Sequence, residues 1–229
     1  MINVSAASAG KTLLVLFSLL LVMHGAQLYC EFSDNCAVGE GVIRLFNFDS
    51  ERNVPTYYST ILLFICALLL YLHGILNNTD RKMKVGWMTL AVTFLFLSID
   101  EFIGIHESIG KLVREHVEVS GYLYFAWVIP YGFFVVALVA VLFNFLRKLP
   151  AQTFYLFIGS GLLYVSGALG MEIVGAHEVS TNSRKTIEYA IYVTIEESLE
   201  IIGVSLFIFA LIRHLEIERP SLSICTTNP

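Results

Sequence analysis

Six long apolar runs limit what this chain can fold into. They cover approximately residues 11–29, 57–76, 85–106, 121–146, 152–176 and 188–212. Each run approaches or exceeds the roughly 20 residues that a helix needs to cross the hydrocarbon core of a bilayer. Only helices and closed barrels satisfy their backbone hydrogen bonds in lipid, and these runs are too long for barrel strands. The pattern therefore predicts an all-α integral membrane protein, a bundle of six transmembrane helices.

The composition supports a membrane protein and argues against a soluble enzyme. Hydrophobic residues make up 56% of the chain and charged residues 14%, and the mean hydropathy is +0.73. A soluble domain usually has about 25% charged residues. The connections are short, so we expect a single membrane domain over residues 1–229, with one longer outer loop at 30–56 and a polar tail at 213–229. The first run lacks a small-x-small cleavage site and is expected to be a transmembrane helix, not a signal peptide.

Basic residues and cysteines predict the orientation. Lys and Arg concentrate at residues 81–84 and 147–148, beside the ends of apolar runs and away from most acids. Because basic residues favour the cytoplasmic side, both termini are expected in the cytoplasm of a multi-pass protein, in a bacterial inner (plasma) membrane. Cys30 and Cys36 then fall in the outer loop, where an oxidising compartment favours a Cys30–Cys36 disulfide.

Nine ionisable side chains lie in or beside three of the apolar runs, where lipid disfavours charge. They are Asp100, Glu101, His106, Glu107, Glu172, His177, Glu196, Glu197 and Glu200. A charged group inside a span costs about 2.5 kcal/mol or more, so such residues are rare and mark functional sites. In the predicted topology the third and fifth runs end on the outer side, and the sixth begins there. All three groups are therefore expected in the outer third of the membrane.

Helical periodicity indicates which of these side chains face the bundle interior. At about 100° per residue, Asp100 and Glu107 fall within about 20° of each other, two turns apart, so both are expected to point into the bundle. Glu196 and Glu200 share a stripe of the sixth run. Glu172 shares its face with small residues, which let a neighbouring helix approach closely.

So many carboxylates in one small volume predict a bound metal. Like charges and burial both favour protonation of a carboxylate unless positive charge lies nearby, and the nearby Lys and Arg residues lie at the membrane edge. We expect the metal ligands to be Asp100, His106, Glu107, Glu172, His177, Glu196 and Glu200. Glu101 and Glu197 are expected to act as a general acid or base, or to orient the ligands.

The ligand types favour a divalent metal, iron or manganese rather than zinc, in a site that could hold two ions. Helix bundles with two iron or manganese ions use a Glu-x-x-His repeat, which this chain lacks. Here His106 and Glu107 are adjacent, whereas Glu172 and His177 are five residues apart. For His177 to reach the site, we expect the helix to end near Gly175.

The leading hypothesis is an integral membrane metalloenzyme, an oxidoreductase or hydrolase, that acts on a lipid-like or quinol substrate. Its expected partners are membrane lipid and an amphiphilic small molecule, and no basic surface suggests nucleic acid. The alternatives are a proton- or divalent-cation-conducting transporter, a buried polar network that fixes helix packing, and an accessory subunit whose partner subunits are unknown. Residues 46–58 are interpreted as a solvated loop, although Asp49, Glu51 and Arg52 could instead cover the outer mouth of the site. His24, His73 and His214 are assigned no role.

Overall fold

The computed structural model describes residues 5–33, 40–77 and 80–218. These residues form nine α-helices, and no strand occurs among them. The helices are α1 (Ala6–Phe32), α2 (Glu40–Ile43), α3 (Val54–Leu76), α4 (Arg81–Ile103), α5 (Ile105–His116), α6 (Val128–Leu146), α7 (Ala151–Val165), α8 (Glu172–Thr181) and α9 (Ile187–Glu218). A π-helical turn, Ser166–Met171, joins α7 to α8.

Five helical segments of the described chain are long and apolar enough to cross a membrane. They are Ala6–Phe32, Val54–Leu76, Arg81–Ile103, Val128–Leu146 and Ala151–Thr181. The all-helical prediction is thereby confirmed. The predicted sixth run lies within α9, which is not among the five segments and carries four glutamates in its first half.

Two of the predictions fall partly outside the described residues. Cys36 is not among them, so the Cys30–Cys36 disulfide stays a prediction. Of the predicted polar tail, residues 213–218 form the end of α9, and residues 219–229 lie outside the described chain.

Capping residues account for the starts of three long helices. The side chains of Ser5, Asn53 and Asp80 accept backbone N–H groups from the first turns of α1, α3 and α4. These N–H groups have no partner within the helix, and short polar side chains satisfy them. Pro55 occupies the first turn of α3, where its missing N–H removes no helical hydrogen bond.

Gly104 separates α4 from α5. It has φ of 69° and ψ of 48°, a left-handed conformation that glycine adopts without the penalty of a Cβ atom. The third predicted run extended to residue 106, whereas α4 ends at Ile103. His106 and Glu107 therefore start a separate helix, and their directions do not follow from the periodicity of α4.

The core is built around α9, which contacts α1, α3, α7 and α8. Trp87, Leu70, Ile201 and Leu211 are among the large side chains that are almost fully buried in it. At Gly203 the backbone of α7 comes so close that an added Cβ would lie 2.7 Å from the Tyr164 nitrogen. Small residues at such crossings permit close helix packing.

The helix α6 is the least integrated of the long helices that enclose the site. Only Val128, Leu142 and Phe145 of its residues are buried. It stands away from α9 and leaves a cavity between them, described below. We call the end of the bundle at which α4 ends and α9 begins the acidic end, and the opposite end, with Arg81 and Lys148, the basic end.

Candidate functional site

A cavity of about 690 Å³ lies between α4, α6, the α7–α8 segment and α9. Eight of the nine predicted residues line it, from the four helices α4, α5, α8 and α9. They are Asp100, Glu101, His106, Glu107, Glu172, Glu196, Glu197 and Glu200. We refer to this space as the acidic cavity. The structure therefore brings together every predicted site residue except His177.

Asp100 accepts three hydrogen bonds at the acidic end. Its Oδ1 accepts from the His106 backbone N–H at 2.7 Å and lies 3.1 Å from His106 Nδ1. Its Oδ2 accepts from the Tyr131 hydroxyl at 2.7 Å. The chain reversal at Gly104 makes the first two contacts possible, because it returns His106 to the end of α4. Tyr131 was not predicted, since an isolated tyrosine in an apolar run carries no distinctive signal.

His106 is held with one nitrogen toward Asp100 and the other toward the mouth of the cavity. Burial alone would lower the pKa of His106, but the hydrogen bond and the negative charge of Asp100 raise it above its ordinary value. Because a carboxylate only accepts, Nδ1 carries a proton, and Nε2 lies 3.8 Å from Glu51 Oε1. When the ring is neutral, Nε2 has a lone pair available for a ligand.

Glu172 follows the π-helical turn and reaches two partners in the cavity. Its Oε1 accepts a hydrogen bond of 2.7 Å from the Trp127 indole N–H. Its carboxyl group also lies within hydrogen-bonding reach of the Glu196 carboxyl group. Two carboxyl groups in contact repel if both are charged, so they share either a proton or a cation. Single π-helical turns inside helices are frequent at functional sites.

Three glutamates of α9 extend the cluster into the cavity. Glu196, Glu197 and Glu200 all line the wall, and Glu197 interacts electrostatically with Glu101 of α4. Glu101 and Glu197, on different helices, therefore contribute to the same space. Among the described residues, the carboxylates of α4, α8 and α9 that line the cavity form a single ion pair. It joins Asp100 to His106.

Glu107 and His177 occupy different positions from those expected of ligands. Glu107 lines the mouth of the cavity, is about half exposed, and lies 3.9 Å from Lys111. His177 stacks on Tyr122 at a ring distance of 4.2 Å and does not line the cavity. The helix α8 continues through Gly175 to Thr181, so the expected break that would return His177 to Glu172 does not occur.

Residues 48–51 form a covering segment that lines the mouth of the cavity at the acidic end. Asp49, Ser50 and Glu51 are also exposed, as a solvated loop would be, so the segment is both solvated and part of the cavity wall. Asp49 accepts a 2.7 Å hydrogen bond from the Tyr189 hydroxyl and lies 3.9 Å from Arg184. Burial raises the pKa of Asp49, although the Tyr189 hydrogen bond opposes the shift. Burial and the charge of Glu107 raise the pKa of Glu51.

His24 anchors this covering segment to the bundle. Its ring stacks on Phe48 with 4.1 Å between centroids, and its Nδ1 accepts the Phe48 backbone N–H at 3.3 Å. Its Nε2 lies 2.9 Å from the Thr194 hydroxyl of α9. No sequence pattern connects a histidine in the first apolar run with a loop 24 residues later.

The acidic cavity extends well beyond the carboxylates. Toward the basic end its wall changes to apolar side chains, including Leu90, Phe94, Leu138, Leu142 and Phe207. Asp100 and Leu90 are ten residues apart on α4, which corresponds to about 15 Å along a helix. The cavity thus has a carboxylate-rich end and a long apolar end.

Within the described residues, no three His, Cys, Asp or Glu side chains are arranged closely enough to hold one metal ion as they stand. A metal at the carboxylate end would therefore require side-chain rotation to bring the ligand atoms together.

A family described as "Domain of unknown function (DUF8692)" matches residues 12–215. The chain therefore belongs to this family. The matched region contains every residue of the acidic cavity. No curated protein and no solved structure matches the chain.

Proposed function

We propose that this member of the DUF8692 family is an integral membrane metalloenzyme whose acidic cavity receives an amphiphilic substrate. In this proposal α9 is the sixth membrane span, beside α1, α3, α4, α6 and the α7–α8 segment. The basic end faces the cytoplasm with both termini, and the carboxylates lie in the outer third of a bacterial inner (plasma) membrane. The basic residues near Arg81 and Lys148 support this orientation.

The observation that carries the metal proposal is the contact between the Glu172 and Glu196 carboxyl groups in a cluster with little positive charge. Glu101, Glu197 and Glu200 add further carboxylates to the same wall. A divalent cation would compensate several of these charges at once, whereas a shared proton compensates one. Iron and manganese bind such carboxylate-rich sites in helix bundles.

The residues fit distinct roles around such an ion. Asp100, Glu172, Glu196 and Glu200 would supply oxygen ligands, and His106 would supply Nε2. Glu101 and Glu197 would transfer protons as general acid or base, because they line the same space without a place in the ligand set. A bound metal would activate water or oxygen there. Glu107 would stay at the mouth of the cavity, outside the ligand set. His177 is also outside the ligand set, because it stacks on Tyr122 and does not line the cavity.

The shape of the cavity supports an amphiphilic substrate. Its polar end would hold the reacting head group and its apolar end, from Phe94 to Phe207, would hold a hydrocarbon chain. Binding sites are commonly apolar clefts in which a few polar groups set the orientation of the ligand. A lipid-like or quinol molecule matches this division, and it would reach the cavity through the bilayer.

Elemental analysis of the detergent-purified protein tests the metal. We expect near-stoichiometric iron or manganese in the wild type and its loss in Glu172→Gln and Glu196→Gln, which keep the side-chain size. Glu188→Gln is the matched control, because Glu188 is an exposed carboxylate of α9 outside the cavity. A wild type free of metal after purification without chelator would overturn the proposal, as would equal metal content in all variants.

A proton carrier is the second candidate, because the Glu172–Glu196 contact also suits a shared proton. The apolar end of the cavity opposes it, since Leu138, Leu142 and Phe207 offer no continuation of a polar path. Reconstituted liposomes with an entrapped pH dye would distinguish the two. Proton flux that is lost in Glu196→Gln, from protein without metal, would favour the carrier.

A further inference from the structure

A second concave surface lies between α4 and α6 on the outside of the bundle. It encloses about 850 Å³. On α4 it is lined by Val85 and Val92, and on α6 by Ala137 and Val141. All four are exposed. We refer to this surface as the α4–α6 groove.

The groove has the length of a hydrocarbon chain in one leaflet. Its lining on α4 runs from Arg81 to Thr93, twelve residues apart, which corresponds to about 18 Å along a helix. Half of the hydrocarbon core of a bilayer is about 15 Å. An acyl chain that follows the groove would therefore reach from the membrane surface to the middle of the bilayer.

Two basic residues lie where the groove meets the basic end. Arg81 and Lys84 line it, and neither forms an ion pair within the described chain. The nearby carboxylate of Asp80 is occupied, because it accepts the backbone N–H groups of Lys82 and Met83 and lies 3.3 Å from Lys148 Nζ. Arginine and lysine without acidic partners at the end of an apolar groove are complementary to a phosphate group.

The groove and the acidic cavity share part of their walls. Thr93, Phe134 and Leu138 line both spaces. Thr93 is buried, whereas Phe134 belongs to the loosely packed face of α6. The far end of an acyl chain in the groove would therefore touch the residues that separate the groove from the apolar end of the cavity.

We propose that the α4–α6 groove binds an anionic phospholipid, with its phosphate at Arg81 and Lys84 and one acyl chain along Val85, Val92 and Val141. This inference rests on the proposed membrane insertion but needs no metal, because the groove lies apart from the carboxylates. The bound chain would contact Phe134 and Leu138 and so stabilise the wall between α4 and α6.

Native mass spectrometry of the full chain in detergent, titrated with lipid, tests this site. We expect phosphatidylglycerol to bind at least ten-fold more tightly than phosphatidylcholine with the same acyl chains. Each cation near a membrane surface contributes about a five-fold gain for an anionic lipid, so Arg81→Gln with Lys84→Gln should weaken phosphatidylglycerol binding about 25-fold. Lys82→Gln is the matched control, because Lys82 neighbours both residues but does not line the groove.

A second pair of variants tests the position of the lipid acyl chain. Val141→Trp fills the groove and should abolish preferential binding, whereas Val136→Trp should not, because Val136 is similarly exposed on α6 but lines neither space. Equal binding of the two lipids would overturn the proposal, and so would an equal loss in Lys82→Gln. Displacement of the lipid by inorganic phosphate at comparable concentration would show a phosphate site instead. Loss of metal in Glu172→Gln with lipid binding retained separates this test from that of the proposed function.

Discussion

Replacing Gly167 by alanine tests whether close packing of the π-helical turn on α9 positions the carboxylates. A Cβ at this position would lie 2.7 Å from the Glu196 carbonyl oxygen and 2.9 Å from Glu200 Cγ. Ordinary contacts between carbon and a carbonyl oxygen are about 3.3 Å or longer, so the backbone of α9 must move by roughly half an ångström. The movement would displace the two glutamates that face the cavity.

The expected destabilisation follows from two opposing effects. Overpacking a tight contact costs about 1–3 kcal/mol, whereas alanine is favoured over glycine in a helix by at most about 1 kcal/mol. The free energy of unfolding of Gly167→Ala should therefore fall by about 1–2 kcal/mol. For a chain of this size, the melting temperature should fall by about 2–8 °C.

Gly170→Ala in the same turn is the matched control. Its Cβ would lie 3.9 Å from the nearest atom, an ordinary contact, so this variant should melt at or slightly above the wild-type temperature. Both variants would be measured by differential scanning fluorimetry in one detergent, together with their metal content. Equal melting temperatures for the two variants would refute the packing argument, and normal metal content in a destabilised Gly167→Ala would refute its link to the site.

Three further outcomes are expected. Tyr131→Phe removes the hydroxyl that donates to Asp100 and should weaken metal binding about 10–100-fold in a competition titration, because partners of ligands orient them. Asp80→Ala should lower the melting temperature at neutral pH, because it removes the cap of α4. Backbone N–H donors lower the pKa of Asp80, so the stabilisation by Asp80 is present above about pH 4 and disappears as the pH falls through the lowered pKa of the folded state. The melting temperatures of wild type and variant should therefore converge at low pH. His24→Leu removes the stack on Phe48 and should speed hydrogen exchange of the covering segment without changing exchange at the basic end, and unchanged exchange would contradict the anchoring role.

The convergence of the acidic residues was predictable because it depends on depth along helices. Helical rise places Asp100, Glu172 and Glu196 at the same level once the order and direction of the helices are known. Predicting that level requires no knowledge of side-chain contacts. The grouping in one cavity is therefore accessible from the sequence, although the roles of these residues remain predictions.

The predictions that were wrong concern residues that follow a change in helical phase. Gly104 breaks the helix after Ile103, so the direction of His106 depends on a left-handed turn and not on periodicity. The π-helical turn before Glu172 alters the rotation between α7 and α8. His177 then faces Tyr122, and no ideal helix drawn through the fifth run could have placed it.

The covering segment illustrates a different limit. Asp49 and Glu51 have the composition of a solvated loop, and composition says nothing about what a loop rests on. Their positions depend on Tyr189 and on the anchor at His24, which are 140 and 25 residues away from Asp49, respectively. Contacts over such separations are decided only when the chain is packed.

By itself, the sequence determined that the chain is helical and apolar, and at which level of its helices the ionisable residues lie, because hydrophobicity and helical rise are local properties. Only the tertiary structure decided which carboxylates touch, that Asp100 holds His106, and that α6 stands away from α9. These features depend on Gly104, on the π-helical turn and on the close contacts at Gly167 and Gly203. Each is a balance of packing between segments distant in sequence, and no local pattern encodes it.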